Sequence, residues 1–412
     1  MKIKKFLKIF LVIIILLNIN VISFAVEEDP DAWDYVWLDE ALEESKNIKE
    51  LNILTRYAAI YDRASKTMLW GKNENTPVPM ASTTKIMTAI VMMEKVGVEG
   101  LKEEVTVSKE AANTIGSRLG LHTGDKITYN DLLYGLMLCS GNDAAVEIAI
   151  STYGSVENFA NEMNNKAKEL GLQNSHFVTP HGLDREGHYT TALELAKIAD
   201  YALSIPKIKQ VVNTREYTVT INGYPKTISN TNELLGYLNG VNGVKTGYTS
   251  KALRCLVTSV SRNDMDLITV ALGADTKKIR TQDSIKMIEY AYKNYKYVNV
   301  EEMVNEEYKN WCNINEKRIT VYKGEIKRPE IYLEQGKYTL YPIKDNENIT
   351  IDTTANLKFE APLPAGTEVG TIIVKKNNEI IDEIPIKTKE TVEQKTVWIY
   401  FIELIQLLKI VI

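Results

Sequence analysis

The sequence predicts an α/β (α+β) catalytic domain, an antiparallel sheet flanked by helices, followed by a small all-β domain. Helical spacing is the first sign: Ile86, Met87, Ala89, Ile90, Met93 and Val96 recur on one face, and residues 129–139 and 156–170 carry apolar faces of the same kind. The second is an antiparallel meander, in which the β-rich runs Cys255 to Val260 and Leu267 to Leu272 are joined by Arg262-Asn263-Asp264. The third is a change of texture at about residue 298. Helical periodicity stops there, and the short β-prone runs Arg318 to Tyr322, Tyr338 to Tyr341, Ile349 to Asp352 and Thr371 to Val374 alternate with turns.

A chain of 412 residues has room for two or three domains and a sizeable core, and 44% hydrophobic content places it among globular chains. A net charge of −5 with both signs interspersed gives no basic footprint, so nucleic acid is not an expected partner. The N-terminus stands apart. Lys2, Lys4, Lys5 and Lys8 precede an unbroken apolar run from Ile9 to Leu17, and Ser23-Phe24-Ala25 offers small residues at a cleavage site. This reads as a secretory signal peptide over 1–25, with an uncleaved membrane anchor as the alternative; in both cases the remainder is exported. Cys139, Cys255 and Cys312 are too few for a disulfide framework. With His122, His176, His181 and His188 they form no recognisable metal-ligand spacing, so no metal or cofactor is expected.

Residues 26–50 are acidic and weakly patterned and read as a spacer. Tyr57 to Asp62 and Thr67 to Gly71 read as strands about the turn Arg63-Ala64-Ser65-Lys66. The helix carrying Ser82 follows, then a short strand from Val105 to Ser108 and a loop from Gly116 to Leu121. A helix over Tyr129 to Cys139 breaks at Ser140-Gly141-Asn142-Asp143 and a new one runs from Ala144 to Ser151. After the 156–170 helix come a Pro/His/Gly/Asp loop from Phe177 to His188, a helix over Thr190 to Leu203, a strand over Tyr217 to Ile221, the meander, and a closing helix over Asp283 to Tyr295. Thr396 to Ile412 is almost wholly apolar, with Glu403, Gln406 and Lys409 at every third position. A helix of that length spans roughly 25 Å. A mid-helix Glu in lipid is costly, so lying in a membrane interface fits better than crossing, with packing on the protein as the alternative.

Three short patterns carry chemistry. In Ala81-Ser82-Thr83-Thr84-Lys85, serine and lysine are three apart and share a helix face, so a neutral lysine amine can take the serine proton. A second Ser-x-x-Lys, Ser204-Ile205-Pro206-Lys207, is broken by its proline. Ser140-Gly141-Asn142 sits in a tight break between helices, where its side chains either face a cleft or cap the next helix. Lys245-Thr246-Gly247 lies beside the meander; its Gly allows close approach to a strand edge, and Lys and Thr can bind a carboxylate.

In this order the three patterns resemble the penicillin-binding protein and serine β-lactamase superfamily, most closely its low-molecular-mass D-alanyl-D-alanine carboxypeptidases. Further matching residues are Thr179-Pro180-His181-Gly182-Leu183-Asp184 with His188, and Tyr248-Thr249 after the Lys-Thr-Gly. The resemblance implies a serine β-lactamase/penicillin-binding-protein-like catalytic domain over 51–297, an all-β domain over 298–390 and an amphipathic membrane-anchoring helix over 391–412. It implies removal of the terminal D-alanine from peptidoglycan stem peptides at the outer face of the cytoplasmic membrane, with β-lactams as inhibitors. Ser82 is then the nucleophile, Lys85 its base and Ser140 a proton relay, while Lys245, Thr246 and Arg280 bind the terminal carboxylate and Asn142 orients the substrate. The backbone N–H groups of Ser82 and Tyr248 form the oxyanion hole. A β-lactamase of the same superfamily and a catalytically silent wall-binding protein are the alternative functions. The stretches Thr191-Ala192-Leu193-Glu194-Leu195-Ala196 and Ala252-Leu253 depart from the family's usual pattern and touch sub-family and substrate preference more than activity.

Overall fold

The computed structural model describes residues 36–46 and 48–411. The leader expected over 1–25 lies outside them.

The catalytic domain is built on a five-stranded sheet. Its strands are assembled from β1 (Tyr57–Asp62), β2 (Thr67–Lys72) and three later strands, after two small hairpins have been made elsewhere. These hairpins pair β3 (Glu104–Thr106) with β4 (Lys126–Thr128), and β5 (Glu216–Ile221) with β6 (Tyr224–Ser229). The later strands are β7 (Val241–Thr249), β8 (Leu253–Arg262) and β9 (Met265–Ala274), and the spatial order is β2-β1-β9-β8-β7, antiparallel throughout. The expected meander is therefore β8–β9. Lys245-Thr246-Gly247 lies within the edge strand β7, paired with Val257, Leu256 and Cys255.

The sheet is covered on both faces, which is why its central strands read as nearly continuous apolar runs. Alternate residues go to opposite layers. Ala59, Tyr61, Ile268, Val270 and Leu272 join the larger core with the helices Lys85–Val96, Tyr129–Met137, Asn142–Tyr153 and Ala192–Ser204. Ala58, Ile60, Leu267 and Ala271 face the other way, against Met287, Tyr290 and Ala291 of the helix Lys277–Asn294.

Three regions differ from expectation. The segment taken as a spacer contains a helix, Val36–Ser45, whose Leu38 and Ala41 pack with Leu234, Leu235, Ile285 and Ile288. Only one narrow stripe of that helix is apolar, so its acidic residues hide the pattern. The closing helix starts at Lys277, capped by Thr276, whose Oγ1 accepts from the Ile279 N–H at 3.1 Å. Periodicity does not stop at 298: Val300–Asn315 is a helix, with Val300, Val304 and Trp311 buried. Beyond it the all-β reading holds. The segments Ile331–Leu333, Glu379–Thr388, Glu368–Lys376 and Ile349–Ala355 form a four-stranded antiparallel sheet in that spatial order. The last helix, Val397–Val411, exposes Val397, Trp398, Phe401, Leu404, Leu407 and Leu408. No helix among the described residues is long and apolar enough to cross a membrane.

Candidate active site

Ser82 does not lie in the α-helix itself. Ala81–Thr84 is a 3-10 turn and the α-helix begins at Lys85. In a 3-10 turn residues three apart eclipse, which brings Lys85 Nζ to 2.8 Å from Ser82 Oγ. The turn is held by back-bonds: Thr83 Oγ1 donates to Met80 O at 2.6 Å and Thr84 Oγ1 to Ala81 O at 2.7 Å. Ala81 has φ 49, a left-handed conformation that costs about 1 kcal/mol or more for a non-glycine residue.

Lys85 is fully buried and makes two further contacts, to Asn142 Oδ1 at 2.7 Å and to the His181 carbonyl at 2.8 Å. Asn142 Oδ1 is fixed as an acceptor because its Nδ2 donates to Ile115 O at 2.7 Å. A neutral amine has two N–H groups and one lone pair. Both N–H groups are taken by oxygens that can only accept, so the lone pair points at the Ser82 hydroxyl. Burial, and then the nearby charge of Lys245, push the Lys85 pKa well below its ordinary value, which favours the neutral form. Lys245 is also buried, and desolvation lowers its pKa to about 8. It therefore keeps its proton more readily than Lys85.

The strand β7 reaches the nucleophile through Gly247. A Cβ there would stand 3.0 Å from Ser82 N and 3.1 Å from Ala81 Cβ, so a side chain would force the strand or the turn to give by a few tenths of an ångström. On the same strand Thr246 Oγ1 lies 2.6 Å from Thr231 Oγ1. Arg254 stacks over the exposed Tyr248 ring, 3.8 Å from its centroid. Ser140 occupies the predicted break, between helices ending at Met137 and starting at Asn142, with φ 62. Ser82, Ser140, Thr246, Tyr248 and Arg280 line one cleft of about 350 Å³. The Asn142 amide contacts Lys85 and Ile115, which ties this residue to the base. Arg280 is in the cleft, but its Nη2 donates to Glu233 Oε1. The second Ser-x-x-Lys is not a pair: Ser204 Oγ donates to Tyr201 O, and Lys207 lies over the Tyr134 ring.

The loop at His181 contributes more than its sequence announces. Gly182 has φ +87, and a Cβ there would fall 1.9 Å from Ala81 O, so only glycine lets the loop sit against the nucleophile turn. His188 ties the same loop down. Its Nδ1 accepts from Val178 N at 3.0 Å, which leaves Nε2–H to donate to Thr84 Oγ1 at 2.8 Å. Burial holds its pKa down at about 4, so the ring is neutral. Asp143, missed at sequence level, accepts from the backbone N–H groups of Leu119, Gly120 and Leu121 at 2.8, 2.7 and 3.0 Å, fixing the loop beside Ser117.

With this geometry in place, the family model for D-alanyl-D-alanine carboxypeptidases matches residues 44–276, more than half of the chain. The chain belongs to the D-alanyl-D-alanine carboxypeptidase family. A second family model, the C-terminal domain of penicillin-binding protein 5, matches residues 312–394. Among curated relatives, D-alanyl-D-alanine carboxypeptidase DacF of Bacillus subtilis (strain 168) is 34% identical over 361 residues, covering 86% of this chain and 90% of that protein. The crystal structure of the Streptomyces K15 DD-transpeptidase aligns with a TM-score of 0.57 at 33% identity, covering 60% of this chain and all (100%) of that one. Penicillin binding protein 5 of Haemophilus influenzae aligns with a TM-score of 0.69 over 84% of this chain and 100% of that chain; at 24% identity it speaks for the fold alone. Members of this family are serine-type hydrolases, and the enzyme described here carries a serine, a buried lysine and a second serine in one cleft.

Proposed function

We propose that this chain removes the terminal D-alanine from peptidoglycan stem pentapeptides through an acyl-enzyme on Ser82, and that penicillins acylate the same serine. The observation that carries this reading is the fully buried Lys85 Nζ 2.8 Å from Ser82 Oγ, with Asn142 Oδ1 and the His181 carbonyl as its other two partners. Lys85 takes the hydroxyl proton as Oγ bonds to the carbonyl carbon between the two D-alanines. The backbone N–H groups of Ser82 and Tyr248 face the developing oxyanion; the contact of Gly247 with the Ser82 turn supports that pairing. Collapse of the tetrahedral adduct breaks the C–N bond, and the proton that Lys85 took passes through Ser140 to the departing amine. Water then attacks the ester carbon while Lys85 takes its proton, and Lys85 returns that proton to Ser82 Oγ as the ester C–O bond breaks and the shortened peptide leaves. Lys245, Thr246 and Arg280 are assigned to the terminal carboxylate, Asn142 and the His181 carbonyl to holding Lys85. D-Alanine release from a synthetic pentapeptide, measured for the parent and for Ser82→Ala, tests the proposal: release by the parent and none by the variant is expected, and release by both would overturn it.

The proposed organisation is a leader over 1–25, a spacer from 26, the catalytic domain over 51–297, the β-domain over 298–390 and an anchoring tail over 391–412. The helix Val36–Ser45, packed on the catalytic core, supports moving the start of that domain to about residue 36. Export to the outer face of the cytoplasmic membrane is inferred from the leader. Attachment by the tail lying in the membrane interface is supported by its exposed Trp398, Phe401, Leu404 and Leu408.

A further inference from the structure

The cleft holds an ion pair whose acidic member, Glu233, has no part in the chemistry above. Glu233 and Arg280 both line the cleft that contains Ser82 and Ser140, and their side chains are only 6% and 4% exposed. Arg280 Nη2 donates to Glu233 Oε1, and Thr281 Oγ1 donates to the same oxygen at 2.6 Å. Among the described residues, Glu233 Oε2 and Arg280 Nε have no partner. Glu233 also walls a second pocket of about 480 Å³, lined by Arg215, Glu216, Ser229, Asn230, Asn232 and Leu235. It therefore stands between the reaction cleft and further polar space.

A carboxylate arriving at Arg280 meets a guanidinium whose charge is already matched by a buried partner. The Glu233 carboxylate, buried beside the guanidinium, repels an anion arriving there. Arg254 and Lys277 also line the cleft; what Glu233 weakens is the pull of Arg280 on that carboxylate. We propose, resting on the carboxypeptidase reading of the site, that Glu233 is a specificity-determining residue. It relaxes selection for a free carboxylate on the leaving group, and admits leaving groups that carry a neutral amide there or continue into the neighbouring pocket. Cross-linked peptides, in which the leaving amine belongs to a larger residue, are of that class.

The test compares an N-acyl-D-alanyl-D-alanine with its C-terminal amide. Binding of each is measured by calorimetry on Ser82→Ala protein and on Ser82→Ala/Glu233→Gln protein. Glutamine keeps with its Oε1 the acceptor that Arg280 and Thr281 use, removes the charge, and puts an NH2 donor in place of Oε2. The expected result is that the acid gains about threefold to tenfold in affinity while the amide gains nothing. Glu233→Ala moves the ratio the same way. Because both ligands are read on one protein sample, partial loss of folded material cancels in the ratio. The same rise is expected in the kcat/KM ratio of the two substrates when Ser82 is present. An unchanged or falling acid-to-amide ratio overturns the assignment of Glu233. Failure of the folded Ser82→Ala protein to bind either ligand counts instead against the carboxypeptidase reading.

Discussion

Replacing Asn142 with alanine separates holding the base from binding the substrate. Asn142 is 3% exposed, its Oδ1 lies 2.7 Å from Lys85 Nζ, and its Nδ2 lies 2.7 Å from Ile115 O. The substitution leaves one lysine N–H and one carbonyl without partners, each a buried polar group worth about 1–3 kcal/mol. The amine is then no longer obliged to keep its lone pair on Ser82, and a hydrogen can turn there instead. If about 2 kcal/mol of this loss falls on the acylation barrier, the acylation rate constant drops about thirtyfold. Binding of the first complex should change by less than about threefold, because both amide atoms of Asn142 are engaged within the protein. Stopped-flow acylation with a fluorescent penicillin, over a range of concentrations, gives the two constants separately. A weakened first complex with an unchanged acylation step would refute this account and return Asn142 to the substrate.

Two further outcomes follow from the same geometry. Lys245 in the free enzyme loses its proton at about pH 8, lowered by desolvation. A carboxylate-terminated substrate should therefore lose kcat/KM above that pH, by about tenfold one unit higher. Lys245→Arg should move that limb upward, and the same limb with an amide-terminated substrate would contradict the assignment. Gly182→Ala places a Cβ 1.9 Å from Ala81 O at φ +87. It should cost about 2 kcal/mol or more in stability, read from urea unfolding, together with at least about a tenfold loss of acylation. Wild-type stability in that variant would show that the loop does not rest on the nucleophile turn as described.

How much of this was legible depended on whether a feature lay in side chains close in sequence. Ser82 and Lys85, three residues apart, predicted their own contact, and the 3-10 turn shortened the path between them. The apolar runs of β8 and β9 announced a covered sheet, and Lys-Thr-Gly fell on its edge. The His181 carbonyl left no trace, because any residue supplies a carbonyl and only the fold aims it. Glu233 and Arg280 are 47 residues apart and carry no spacing signal. The β5–β6 hairpin was half missed because β6 is mostly exposed, leaving little alternation to read. The helix Val300–Asn315 buries few residues among many acidic and polar ones, so its periodicity was too faint against the β-rich sequence that follows.

The measurement that tests the central claim most directly is the location of the acyl group. The protein and its Ser82→Ala variant are incubated with a labelled penicillin, digested, and mapped by mass spectrometry. A stable adduct on the peptide containing Ser82, absent from the variant, is the expected result. An adduct on another residue, or none on folded protein that also leaves the penicillin unhydrolysed, would contradict the assignment of Ser82 as the nucleophile activated by Lys85.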